Sequence, residues 1–169
     1  MARAGTFAAL MRKLPFLFLL LLACRQPAGD PCKDFFTPYR DLVSGRERTN
    51  INGAYVDAMV LYSQGDFAGA ADGLRAYLRK PGADRTAHLY LAVSQLAMGK
   101  PYDAELSIDH LETSNVSGYK DPCEWYTLLC WVCSGQHDRA LAGARAMAQQ
   151  RHTYQREAQA LVEQLERAR

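Results

Sequence analysis

Three absences narrow the function of this chain. No apolar run reaches the roughly 20 residues that a helix needs to cross a bilayer; the longest, Leu14 to Leu22, is broken by Pro15. No Lys/Arg cluster occurs beyond the N-terminal stretch, which removes the basic surface used to bind nucleic acid. There is no phosphate-cradling glycine loop, no His-Glu-x-x-His zinc helix and no Gly-x-Ser-x-Gly elbow. The four histidines, His88, His110, His137 and His152, fall in different predicted elements without an obvious nucleophile beside them. The expectation is a protein that is not an enzyme, carries no cofactor or metal, and binds no nucleic acid.

What is present begins with a charged start (Arg3, Arg12, Lys13), the short apolar run, and Leu21-Leu22-Ala23-Cys24. A basic n-region before a short apolar core reads as an export signal. A cysteine directly after a small residue resembles the lipobox of bacterial lipoproteins. That resemblance implies cleavage between Ala23 and Cys24 and a diacylglycerol on Cys24, so that residues 1–23 are a signal peptide. The alternatives are an ordinary signal with a chance cysteine, or an uncleaved anchor. At about 0.8 kcal/mol per buried methylene, two or three acyl chains would tether the protein durably. Arg25, and the lack of an acidic run after it, imply by the same resemblance an outer-membrane lipoprotein facing the periplasm. All 18 acidic residues lie beyond position 23, whereas three of the 20 basic ones lie before it, so the mature chain is close to neutral.

Residues 24–33, with two prolines and a glycine, read as a flexible tether that packs on nothing. Asp34 to Val43 reads as a short helix with Phe35, Phe36, Tyr39, Leu42 and Val43 on one side, restricted by Pro38, and Ser44 to Asn52 as a loop. Beyond Gly53, helical periodicity is overlaid by a longer period. Ser63-Gln64-Gly65-Asp66-Phe67-Ala68-Gly69-Ala70, Ala97-Met98-Gly99-Lys100-Pro101-Tyr102-Asp103-Ala104 and Cys133-Ser134-Gly135-Gln136-His137-Asp138-Arg139-Ala140 align on their glycines, 34 and 36 residues apart. In each, an alanine follows the glycine by five positions. The glycine lets the chain leave one helix with positive φ, and the alanine lets the next helix pack closely.

This spacing resembles the tetratricopeptide repeat, a 34-residue helical hairpin with small residues at its eighth and twentieth positions. The resemblance implies an all-α, TPR-like helical-hairpin solenoid of about three repeats. The units fall near 51–84, 85–120 and 121–153, with a capping helix over 154–169 marked by Ala158, Leu161, Val162 and Leu165. Ala58 and Ala70, then Ala92 and Ala104, fill the small positions; in the third unit Leu128 replaces the first of them, beside Ala140. An unrelated helical bundle is the alternative. The openings Leu89-Tyr90-Leu91-Ala92 and Trp125-Tyr126-Thr127-Leu128-Leu129 also resemble repeat-containing lipoproteins of Bacteroidetes-type bacteria.

Carried over by position, Tyr55, Met59, Tyr62, Leu89, Val93, Leu96, Trp125, Leu129 and Val132 would line a concave groove. It would either bind an unidentified envelope protein or peptide, or be partly filled by the Asp34 to Val43 helix. The resemblance thus implies a membrane-anchored scaffold or adaptor, with self-association a further possibility. Four cysteines remain besides Cys24: Cys32, Cys123, Cys130 and Cys133. They read as buried structural thiols, as a disulfide such as Cys32 to Cys123, or as a thiol-disulfide or metal-handling cluster of Cys123, Cys130 and Cys133 with His137.

Overall fold

The computed structural model describes residues 29–114 and 116–168. The signal peptide, the cleavage site at Ala23 and Cys24 and the first part of the tether lie outside them. The described residues contain helices and no strands: α1 (Pro31–Phe35), α2 (Gly53–Ser63), α3 (Phe67–Leu78), α4 (Ala87–Ala97), α5 (Pro101–Glu112), α6 (Lys120–Cys133), α7 (His137–Ala148) and α8 (Gln155–Arg167). The all-α expectation holds.

From α2 onward each helix packs on the next in sequence, and α4 also touches α2 and α6. The turn glycines explain the hairpins. At the end of α2, Gly65 adopts φ 81° and donates its N–H to the Tyr62 carbonyl at 3.0 Å, while Asp66 N–H reaches back to Leu61 at 3.0 Å. This pair of bonds satisfies the carbonyls that a helix end leaves open. The same two bonds recur at Gly99 with Lys100 and at Gly135 with Gln136. Each following helix starts two residues beyond its glycine and runs for 12 residues. The alanines at the fifth position, Ala70, Ala104 and Ala140, are fully buried. A further small position stands eight residues after each glycine, occupied by Gly73, Ser107 and Gly143.

The N-terminal part differs from its expected form in two ways. Residues Pro31–Phe35 are helical, and they are packed rather than free: Cys32 is bonded to Cys133 at the end of α6, and Gln164 of α8 donates to Asp34 at 2.8 Å. The helix then stops at Phe36, which is extended at φ −75°, ψ 118°. Pro38 supplies the reason, since it bars the helical region to Thr37 and has no N–H to donate. What was expected as a helix over Asp34 to Val43 is therefore a strap from Phe36 to Val43.

Candidate functional site

The nine residues expected to line an open groove are all buried: Tyr55, Met59, Tyr62, Leu89, Val93, Leu96, Trp125, Leu129 and Val132. The strap runs across the helices that bear them. Tyr126 of α6 donates to the Thr37 carbonyl at 2.8 Å, Tyr62 of α2 to the Tyr39 carbonyl at 2.7 Å, and Tyr90 of α4 to the Arg40 carbonyl at 3.3 Å. Tyr90 also accepts the Leu42 N–H at 3.2 Å. The Tyr39 ring lies between Tyr90 and Tyr126, at centroid distances of 5.8 and 6.3 Å, and Val43 closes the end of the strap at 2% exposure. Hydroxyls from three successive first helices thus hold main-chain groups of one extended segment. Burial pushes all three phenols above their ordinary range, so they remain protonated donors.

Tyr90 and Tyr126 were absent from the expected groove set. Each stands nine residues before its turn glycine, a recurrence visible in the sequence at the second residue of Leu89-Tyr90 and Trp125-Tyr126. The repeat alignment could have marked them.

Beside the strap lies a recess of about 710 Å³. Trp125 and Tyr154 form part of its wall, stacked with centroids 5.2 Å apart and planes within 4°. Arg40 and Lys120 bring positive charge to it, Asp121 and Glu157 negative. Asp121 accepts the Thr153 N–H at 2.8 Å and the Thr153 hydroxyl, which holds its carboxyl below the ordinary range.

Asp121 and Glu124 also face His152, the one grouping of three potential metal ligands among the described residues. His152 Nε2 lies 3.2 Å from Glu124 and 3.8 Å from Asp121, with its side chain 2% exposed. The ring's other nitrogen decides the chemistry. Nδ1 accepts the Tyr154 N–H at 3.1 Å, which assigns the proton of the neutral ring to Nε2. A metal-bound histidine needs its lone pair on Nε2 and its proton on Nδ1, the reverse of this arrangement. His152 Nε2 is thus buried near two carboxylates without a hydrogen bond to either.

The cysteines separate into two pairs. Cys32 and Cys133 form a disulfide, in place of the Cys32 to Cys123 pairing considered from the sequence. Cys123 and Cys130 are free and buried. Burial, with Glu112 and Glu124 nearby, pushes the Cys123 thiol up to about 12, and burial pushes Cys130 up as well. Reactive thiols have the opposite tuning. Among the described residues the cysteines and His137 do not converge as a metal-ligating group.

Comparison with protein-family models, with curated proteins and with solved structures finds no match to this chain.

Proposed function

We propose that this chain is a TPR-like helical-hairpin binding module, tethered to the bacterial cell envelope through lipid on Cys24, that holds a protein partner at the recess beside the strap. One observation carries the reading. The strap covers the faces of α2, α4 and α6 that a groove would use, and beside it stands an open recess formed by Trp125, Tyr154, Arg40, Lys120, Asp121 and Glu157. The partly exposed Tyr154 ring, held flat against the buried Trp125, gives contact area at little entropic cost, and charges of both signs set orientation and partner choice. The periplasmic face of an outer membrane is the location that the lipobox resemblance implies. A scaffold or adaptor role follows from a binding surface without reactive groups.

The test is affinity capture of the membrane-extracted protein against the variant Arg40→Glu, Lys120→Glu. Both side chains are exposed, so helicity and melting should persist. A partner held by the native chain and lost from the folded variant supports the recess; equal capture by both places the partner elsewhere. Tyr62 and Trp125 are unsuitable for this purpose, because charge at either buried position would unfold the site it was meant to probe.

A further inference from the structure

The third hairpin carries a feature that the other two lack. In the first, α2 and α3 cross at Ala58 and Gly73 so closely that a Cβ on Gly73 would stand 2.8 Å from the Ala58 Cβ. In the third, Leu128 takes the place of Ala58, and Gly143 faces the Leu128 and Trp131 side chains instead of a backbone. α6 and α7 consequently meet less extensively than the helices of either preceding hairpin. Between them opens a cleft of about 310 Å³, within the range of small-ligand sites.

Its electrostatics are one-sided. Leu128, Met147 and the edge of Trp131 form an apolar wall, with Glu112 and Glu124 also lining the space and no Lys, Arg or His among the lining residues. Glu112 is the last residue of α5, and Met147 belongs to the last turn of α7, so the cleft also sits at the negative ends of two helices. Partial burial and the repulsion of Asp109 and Glu124 raise the Glu112 carboxyl above its ordinary range. Two nearby bases lie against Glu124, and a third is engaged outside the cleft. Lys120 lies 3.7 Å from Glu124 Oε1 and His152 3.2 Å from Oε2, while Arg139 covers a face of Trp131 at 4.0 Å and pairs with Glu105. No ion pair to Glu112 occurs among the described residues. The Thr127 hydroxyl, on the same lining, is buried without a hydrogen-bond partner.

We infer that this cleft binds an organic monocation with an apolar body, its ammonium or guanidinium group set between Glu112 and Glu124 and its stem against Leu128, Trp131 and Met147. A protonated amine neutralises Glu112, the lining carboxylate without an ion pair among the described residues, and places an N–H donor within the wall that holds the unpartnered Thr127 hydroxyl. The apolar body fills space that α6 and α7 leave open. This site is separate from the strap recess and does not depend on that reading.

The experiment is titration of the full chain with phenethylammonium chloride, followed by calorimetry, beside 2-phenylethanol and phenylacetate as neutral and anionic analogues. Phenethylammonium should bind in a salt-sensitive way, with the alcohol weaker and phenylacetate silent. Glu112→Gln, at an exposed position, should weaken binding by about tenfold, the effect of one lost charge-assisted contact. Ala146→Phe, which places a ring in the cleft, should abolish binding while the helical signal persists. A short arginine-containing peptide distinguishes the source of the cation: competition with phenethylammonium assigns the site to a partner's side chain, and binding of the free amine alone assigns it to a small amphiphile. Equal binding of alcohol and amine, an unchanged affinity in Glu112→Gln, or no binding of the amine at millimolar concentration would overturn the inference.

Discussion

The first two hairpins and the third are built on one plan and are held together by different means. In α2–α3 the crossing is small against small, Ala58 on Gly73. In α4–α5, Ala92 is fully buried and the Gln95 amide donates to the Ser107 hydroxyl at 2.7 Å within the core. In α6–α7, Leu128 and Trp131 stand at the crossing, a cleft remains, and a disulfide at Cys133 ties the end of α6 to the N-terminal segment. A covalent tie supports the hairpin whose helices pack least closely, while the strap is shared by all three. Equal repeats in sequence therefore need not be equal in the way they resist opening.

The largest effect that would sharpen this contrast is loss of the disulfide. Its cysteines are 101 residues apart, and a loop of that size corresponds to roughly 4 to 5 kcal/mol of unfolded-state entropy in the chain-entropy model. Cys32→Ser with Cys133→Ser should lower stability toward that amount in urea. Hydrogen exchange should rise more in α6 and α7 than in α2 to α5; a uniform rise would break the comparison. Next in size is a matched pair of glycine substitutions. Gly73→Ala drives a Cβ into another residue's Cβ at 2.8 Å and should cost about 1–3 kcal/mol. Gly143→Ala meets the far ends of Trp131 and Leu128 at 3.0 and 3.2 Å. Those can yield, and alanine's helix preference of about 1 kcal/mol offsets the crowding, so its change in melting should be small.

The smallest expected effect is on pH dependence. His88 in α4 stacks near His110 at 5.3 Å and leaves Nδ1 buried without a partner. Burial, then the charges of His110 and Arg85, bring its pKa down to about 4. The unfolded chain takes up that proton near pH 6.5 and the folded chain only near 4, so stability is full above about 6.5 and declines as pH falls toward 4. His88→Gln should flatten that decline in an acid titration.

Much of the fold was legible because the repeat is written in residues with few alternatives. A glycine that must take positive φ, followed at five positions by an alanine too small to obstruct, marks a hairpin regardless of what surrounds it. The substitution of Leu128 for alanine was visible as well, although its consequence, a cleft, depends on how far two helices can close around it. The strap was not legible. Phe35, Phe36, Tyr39, Leu42 and Val43 satisfy a helical pattern, and only the tyrosine hydroxyls on three distant helices make the extended form preferable by satisfying its backbone groups. The disulfide partner of Cys32 escaped for the same reason: it follows from where the strap begins.

The sulfur bridge also sets a path for mechanical load. A pull on the chain ahead of Cys32 passes directly to Cys133 and from there only into α7 and α8. Residues 33–132, which include the strap and the two tightly packed hairpins, lie in a covalent loop that carries no tension. A protein hung from a membrane by its N-terminus would thus hold its best-packed half slack while its last two helices, α7 and α8, take the strain.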